Sequence, residues 1–339
     1  MRSYAWRLEP LDGQLERVLT VSTGACRTQI DLPKLGRWRA HLMITSDRGG
    51  REGQQDFRFR DLVIVAFGDS FVSGEGNPEG KQRRGSLDVR VVWTDKQCHR
   101  SKHSWAMRAA RRLEDATTSV TFLNYACSGA TTHDMLYGGY KGIQPVNGDR
   151  RLPSQFAAAR EALGGPFVPG SRPVHALLMT AGVNDTAFSS VLLACASYNS
   201  RLPYDRLLDP LFDEPCTTAG ATRSVRGAIG GLRDSYDRLE VALSSHLKVG
   251  QVRFVEYPSR VITDGRDRHG GCGILKGISG GEARWITARG DELNGAMRAA
   301  AMRNGWRYVG GVRDAFRRHG YCAGAKTWFR SFSGSRKLQ

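Results

Sequence analysis

The fold is decided by the stretch Asp61-Leu-Val-Ile-Val-Ala-Phe-Gly-Asp-Ser-Phe-Val-Ser-Gly-Glu-Gly76. Its apolar run, residues 62–67, is rich in β-branched side chains and ends at glycine, so it predicts a short buried strand. The sequence Gly68-Asp69-Ser70 then begins a glycine-rich loop. Because ligands bind beyond the carboxyl ends of strands in open α/β sheets, Ser70 is a candidate functional residue.

Further apolar runs alternate with segments of helical periodicity. Between Ala221 and Leu247 the apolar residues recur every three or four positions, which predicts a long amphipathic helix. Ser154 has the side chain of a helix N-cap and precedes a second helical segment. Strands separated by helices indicate an α/β domain with a parallel sheet covered on both faces. The further predicted strands are Val120–Tyr125, Val174–Thr180, Val252–Tyr257 and Trp306–Val309.

The first 58 residues follow a different pattern. Gln14–Val21, Arg37–Thr45 and Asp56–Arg60 are predicted strands, joined by turns such as Asp47-Arg-Gly-Gly50 with no helical segment between them. We therefore expect a small all-β, immunoglobulin-like accessory domain over residues 1–58, incomplete at its start. The α/β domain then occupies residues 59–339.

The composition is unusual only in its charge. The 339 residues carry 50 Lys and Arg against 33 Asp and Glu, a formal net charge of +17. Such an excess suggests an acidic polymer or surface as a partner. The basic residues are nevertheless mostly Arg and dispersed, and the densest stretch, Lys81-Gln82-Arg83-Arg84, is shorter than a nucleic-acid-binding arm. We expect a monomer that binds no nucleic acid and adsorbs to acidic surfaces through its basic residues.

Two more polar segments follow predicted strands at the same edge of the sheet. Ala126-Cys-Ser-Gly-Ala-Thr-Thr132 follows the second strand, and Ala181-Gly-Val-Asn-Asp185 follows the third. A serine nucleophile needs hydrogen-bond donors aimed at the developing oxyanion. The backbone N–H groups of Ser70 and Gly129 and the side-chain amide of Asn184 are suitable donors.

In this order the three segments resemble the first three sequence blocks of the SGNH (GDSL-type) hydrolases, over about residues 61–330. The resemblance implies a flavodoxin-like three-layer α/β/α sandwich with a five-stranded parallel sheet. It also implies an esterase or lipase. The sequence contains no Gly-x-x-x-x-Gly-Lys-Ser/Thr loop and no His-Glu-x-x-His motif, so we expect no cofactor and no metal. Ser70 would attack the acyl carbonyl of a small or polymer-attached ester, and Ser70, Gly129 and Asn184 would form the oxyanion hole. The alternative is an inactive hydrolase scaffold that binds cell wall or polyanions.

The general base is the point where the sequence departs from this family. SGNH hydrolases usually supply it from an Asp-x-x-His segment near the C-terminus, and none of the eight histidines has Asp three positions earlier. His319 follows the last predicted strand, with Asp314 upstream, and a backbone carbonyl can orient a histidine in place of Asp. Two interpretations stay open: His319 is the base, or the base lies beyond Gln339. His133 is a third candidate.

The seven cysteines contain no Cys-x-x-Cys pair, so no zinc site is predicted. Spacing alone leaves the pairing of the cysteines open. The resemblance to the larger secreted bacterial esterases and phospholipases implies the bridges Cys98–Cys127, Cys195–Cys216 and Cys272–Cys322, with Cys26 free. Disulfides indicate an oxidising compartment, so we expect a secreted or extracytoplasmic protein, although the first residues do not have the pattern of a signal peptide.

Overall fold

The structure is a computed structural model that describes residues 2–12, 18–84, 88–145, 151–164, 171–188, 190–191, 195, 217–263, 272 and 278–328. The chain divides into two compact units. The first comprises residues 1–62 and 109–121, and the second comprises residues 63–108 and 122–339.

The first unit is built on an antiparallel sheet. Strand β1 (Ser3–Pro10) pairs with both β2 (Leu19–Thr23) and β3 (Gly36–Ser46), and β3 pairs with the first part of β4 (Gly49–Gly68). The predicted turn, residues 47–50, begins between β3 and β4, and its two glycines are the first residues of β4. The sequence did not predict β1, and part of the predicted strand Gln14–Val21 lies outside the described residues. The immunoglobulin-like domain over residues 1–58 stays a prediction.

The second unit confirms the α/β class. The end of β4, residues 64–68, pairs in parallel with β8 (Ala176–Thr180). Strand β8 is parallel to β9 (Val252–Val255), and β9 is parallel to β10 (Arg307–Val309). Strand β7 (Thr118–Asn124) also pairs with β4. All five predicted strand segments therefore contain a strand.

Helices and one hairpin connect these strands. The hairpin pairs β5 (Gly80–Arg84) with β6 (Asp88–Val92), and two short 3-10 helices, Phe316–Arg318 and Gly324–Lys326, lie near the end of the described chain. Among the described residues, the α-helices with defined bounds are α1 (Ser70–Ser73), α2 (Trp105–Arg111), α3 (Thr132–Tyr137), α4 (Gln155–Leu163), α5 (Ala219–His246), α6 (Gly280–Arg303) and α7 (Val312–Ala315).

The longest of these helices, α5, confirms the predicted amphipathic segment. It begins after Thr218, whose side chain accepts a hydrogen bond from the N–H of Ala221 at 3.1 Å. One face of α5 is buried in the core, and the ring of Tyr236 packs edge-on against Phe254 of β9 at 5.2 Å. The buried residues of this face are Val225, Leu232, Tyr236, Leu239 and Leu243.

Helix α4 also begins where the sequence predicts. The Ser154 hydroxyl accepts a hydrogen bond from the N–H of Ala157 at 3.0 Å, as an N-cap does. Phe156 of this helix is buried, and its ring centroid lies 4.9 Å from that of Phe67 in β4. The helix is therefore anchored on the strand that leads to Ser70.

Two predicted disulfides are present, Cys98–Cys127 and Cys272–Cys322. Cys195 is also disulfide-bonded, and its predicted partner Cys216 lies outside the described residues. Cys26 is free and exposed, as expected. Within the described residues, no helix combines the length and the apolar character that crossing a membrane requires.

Candidate active site

Ser70 lies directly after strand β4, where the chain turns sharply into helix α1. Gly68 ends the strand with φ of +137°, and a Cβ at this position would lie 2.2 Å from the carbonyl oxygen of Thr180. The side chain of Gln155 holds the Gly68 backbone from both sides, accepting from its N–H and donating to its carbonyl, each at 2.8 Å. The strand end that leads to the candidate nucleophile is therefore fixed on two sides, while Ser70 itself is half-buried.

The second loop, residues 126–130, is attached to the first. The N–H of Cys127 donates to the carbonyl of Gly68 at 3.0 Å, and the N–H of Ser128 donates to the carbonyl of Cys98 at 3.1 Å. Gly129 has φ of +86°, and a Cβ there would lie 2.3 Å from the Tyr140 hydroxyl. Only glycine therefore fits this half-buried position.

The third loop, residues 181–185, is bonded to the second. The Asn184 side chain donates from Nδ2 to the carbonyl of Ala130 at 2.9 Å. The carboxylate of Asp185 accepts hydrogen bonds from Thr132, 3.0 Å from the backbone nitrogen and also from the hydroxyl. Nδ2 of Asn184 carries a second hydrogen that its bond to Ala130 does not use.

A tyrosine that the sequence analysis did not identify joins the first loop to the third. The Tyr257 hydroxyl donates to Oδ2 of Asp69 and accepts from the N–H of Val183 at 3.2 Å. Asp69 directly precedes Ser70, and Val183 directly precedes Asn184. Since 188 positions separate Asp69 from Tyr257, no local sequence signal links them.

Burial strongly perturbs the pKa of Asp69. Its side chain caps α1, with Oδ1 accepting from the N–H of Phe71 at 3.0 Å. Complete burial raises the pKa of Asp69 to about 7, despite the hydrogen bonds from Tyr257 and Phe71 that favour its charged form. Burial and the nearby Asp69 also raise the pKa of Tyr257 well above its ordinary value. Tyr257 therefore keeps its proton and is the donor.

A second carboxylate, Glu75, joins the first loop to the second. It accepts hydrogen bonds from the Ser128 hydroxyl at 2.5 Å and from Nδ1 of His99 at 2.7 Å. Burial acts to raise the pKa of Glu75, but the bonds from His99 and Ser128 outweigh it and lower the pKa. For His99, burial acts to lower the pKa, but the hydrogen bond and the negative charge of Glu75 have the larger effect, so the pKa of His99 is raised. The ring of His99 stacks on Trp93 at 4.4 Å.

The candidate base His319 is held by its own segment. Its Nδ1 lies 2.6 Å from the carbonyl of Lys326, and its ring stacks on Trp328 at 4.0 Å. A neutral ring bonded to a carbonyl through Nδ1 carries its proton there, so Nε2 is left to accept one. Asp314 accepts from Arg313 at 3.3 Å and is not the bonding partner of this ring. The other candidate, His133, lies 4.9 Å from the ring of Tyr137.

Each of the three loops has one candidate residue that solvent can reach. Ser70, Gly129 and Asn184 are half-buried, whereas their preceding neighbours in the chain are buried. The contacts of His319 with Lys326 and Trp328 lie within its own segment, so its role and those of the three loop residues stay predictions. In the part of the chain that the structure describes, no group of three or more His, Cys, Asp or Glu residues is arranged to hold a metal ion.

The chain is similar to known hydrolases over most of its length. The family model described as the GDSL-like lipase/acylhydrolase family matches residues 66–332. The extracellular lipase from Streptomyces rimosus is 22% identical, with a TM-score of 0.52 over 82% of this chain and 92% of that chain. Phospholipase A1 from Streptomyces albidoflavus NA297 is 22% identical, with a TM-score of 0.49 over 80% of this chain and 87% of that chain. No curated protein matches the sequence.

Proposed function

Because this chain belongs to the GDSL-like lipase/acylhydrolase family, we propose that it hydrolyses carboxylic esters through an acyl-enzyme formed at Ser70. The observation that carries the proposal is the bonding among the three loops. The contacts of Gly68 with Cys127, and of Asn184 with Ala130, hold Ser70, Gly129 and Asn184 at one edge of the sheet, where all three are half-buried.

The proposed reaction has two halves. Oγ of Ser70 attacks the acyl carbonyl carbon and its proton passes to a base. The negative charge that develops on the carbonyl oxygen accepts hydrogen bonds from the N–H groups of Ser70 and Gly129 and from Nδ2 of Asn184. The alcohol leaves with the proton, and water then hydrolyses the acyl-enzyme by the same route. These steps use no metal and no cofactor.

For the base we propose His319. Its Nδ1 is hydrogen-bonded to the carbonyl of Lys326. This bond favours the tautomer whose Nε2 accepts a proton. The stacked ring of Trp328 limits rotation of the imidazole. A backbone carbonyl thus takes the orienting role that a carboxylate has in the Ser-His-Asp triad.

The proposal also covers the oligomeric state of the protein, its location and its substrates. We propose a monomer that acts outside the cytoplasm on small or polymer-attached esters, supported by the disulfides Cys98–Cys127 and Cys272–Cys322. Dispersed arginines favour adsorption to acidic surfaces.

We also propose that β7, β4, β8, β9 and β10 form the five-stranded parallel sheet of a flavodoxin-like sandwich, preceded by an immunoglobulin-like domain.

The decisive experiment is covalent labelling and turnover of matched serine variants. We expect wild-type protein to be labelled by a fluorophosphonate probe and to hydrolyse p-nitrophenyl acetate. Ser70→Ala should lose the label and lower kcat by about 10⁴-fold or more, as in well-studied triads. Ser244→Ala, at an exposed position of α5, should keep both. Labelling that survives Ser70→Ala would place the nucleophile elsewhere, and no labelling of wild type would favour the inactive binding scaffold.

The base is tested with the same ester. His319→Ala should lower kcat by about 10⁴-fold, and His133→Ala should leave it within about twofold. Full activity in His319→Ala, together with its loss in Ser70→Ala, would show that His319 is not the base.

A further inference from the structure

We propose that the Tyr257 hydroxyl is a positioning group that fixes the nucleophile loop relative to the Asn184 loop and thereby sets the rate of ester hydrolysis. The inference rests on the proposed function and extends it to a residue outside the three sequence segments. Tyr257 itself is buried, so it acts through the residues it holds.

One oxygen atom makes the connection. The Tyr257 hydroxyl donates to Asp69 and accepts from the N–H of Val183 at 3.2 Å. Each of these residues is one position before a proposed catalytic group, Ser70 in one loop and Asn184 in the other. A shift of Val183 away from Asp69 therefore changes the distance between the attacking oxygen and an oxyanion donor. Misplacing such groups by about 1 Å costs on the order of 100-fold in rate.

The tyrosine is itself held rigidly, as a positioning group must be. The side chain of Asn294 on α6 brackets its backbone, accepting from the N–H and donating to the carbonyl, each at 2.9 Å. Phe71 packs edge-on against its ring at 5.1 Å. Elements other than the Asn184 loop therefore hold the backbone and the ring, and they fix the position of the hydroxyl.

The chain offers a matched control in Tyr236. This residue is also fully buried, and its hydroxyl also donates to the third loop, to the carbonyl of Ala181 at 2.9 Å. That hydrogen bond does not extend to the nucleophile loop. Tyr236→Phe and Tyr257→Phe therefore delete the same atom from two buried tyrosines, and only the second deletion removes the bridge.

Turnover provides the first measurement. With p-nitrophenyl acetate, we expect Tyr257→Phe to lower kcat by about 10- to 100-fold while KM stays within about twofold. Tyr236→Phe should keep kcat within about threefold of the wild-type value, even if its melting temperature falls as far as that of Tyr257→Phe. Equal kcat in Tyr257→Phe and wild type, or equal losses in the two variants, would overturn the proposal.

Amide hydrogen exchange provides a second measurement that needs no activity. Exchange at the Val183 N–H should accelerate by at least about 10-fold in Tyr257→Phe and remain near the wild-type rate in Tyr236→Phe. An unchanged Val183 rate in Tyr257→Phe would refute the bridge whether or not the protein is an esterase. Unlabelled and inactive wild-type protein would instead refute the proposed function and the rate effect, while the exchange result would still decide the bridge.

Discussion

The two ends of strand β4 have the same extended backbone and opposite surroundings. Residues 49–56 are all exposed, and residues 63–68 are all buried. The exposed end carries Arg51, Glu52 and Asp56 and pairs with β3, whereas the buried end is apolar and pairs with β8. One end therefore meets water, and the other is packed inside the second unit.

This difference explains where the candidate site lies. At the buried end, close packing fixes Gly68 and the loop that follows it, and a carboxylate placed there has its pKa raised by burial. Side chains at the exposed end are solvated, so core packing does not fix their rotamers. Catalytic groups need fixed positions, which rigid, well-packed elements provide. The chemistry proposed for Ser70 therefore depends on the buried end of β4.

The largest expected difference concerns the same substitution at the two ends. Phe67 is fully buried and touches Phe156, whereas Phe57 is half-buried on the same strand. Phe67→Ala should lower the free energy of unfolding by about 3–5 kcal/mol, because it removes a large buried ring and leaves a cavity. Phe57→Ala should cost less than about half of that. Urea unfolding followed by circular dichroism measures both values.

Equal costs for the two phenylalanines would break the comparison, because Phe57, next to the exposed end, would then be as buried in solution as Phe67. Phe67→Leu serves as a control for the cavity. It keeps much of the apolar volume, so it should retain most of the stability that Phe67→Ala loses.

The second prediction compares pH dependence at the two ends. The folded-state pKa of Asp69, about 7, lies above its ordinary value of 3.8 because of burial. Its stabilising contribution is therefore fully present below pH 3.8 and is lost as the pH rises through about 7. Between about pH 5 and about pH 8 the loss should reach about 3 kcal/mol. Asp69→Asn should remove this decline, which urea unfolding at the two pH values measures.

Asp56 at the exposed end should behave in the opposite way. Its hydrogen bond with Arg39 lowers the pKa of Asp56 below 3.8. Its contribution is therefore present above pH 3.8 and is lost as the pH falls through the lowered value. Asp56→Asn should leave the slope between about pH 5 and about pH 8 unchanged. A slope that persists in Asp69→Asn would mean that Asp69 is not the group that titrates.

A third prediction concerns the cysteines. The Cys98–Cys127 bridge spans 29 positions and attaches Cys98 to the loop, residues 126–130, that contains Gly129. Replacing both cysteines by Ser should lower the free energy of unfolding by about 3 kcal/mol, because the unfolded chain gains freedom. Cys26→Ser at the exposed free cysteine should change it by less than about 0.5 kcal/mol. An unchanged free energy of unfolding in the double variant, measured by urea unfolding, would show that the bridge does not form in solution.

The sequence predicted the parts of the molecule that local patterns determine. Strand β4 ends where the apolar run ends, helix α5 follows its three-and-four spacing, and Ser154 caps α4. Strand β1 was missed although Tyr4, Trp6 and Leu8 alternate with more exposed residues. Such alternation is the signal of a half-buried strand, so a local pattern could have identified β1 as well.

The supporting contacts of the site could not be predicted, for a physical reason. Gln155 brackets Gly68 across 87 positions, and Tyr257 reaches Asp69 across 188. Such pairs meet only after strands from distant parts of the chain have assembled, and no sequence pattern marks Gln155 or Tyr257 as the partner of Gly68 or Asp69. Sequence blocks therefore identify the groups proposed to react, and only the fold identifies what holds them.

The smallest expected effect belongs to the exposed end. Arg39 and Asp56 form an ion pair on neighbouring strands, with nitrogen–oxygen distances of 2.7 and 3.0 Å. Both side chains reach solvent, so the attraction is weak and is offset by the ordering of the side chains. Arg39→Ala, Asp56→Ala and the double variant should each melt within about 2 °C of wild type. Any coupling between the two changes should disappear in about 1 M NaCl, where the Debye length falls to about 3 Å. A coupling that resists salt would require the pair to be shielded from water, and the exposed end of β4 would then be an interface rather than a solvated face.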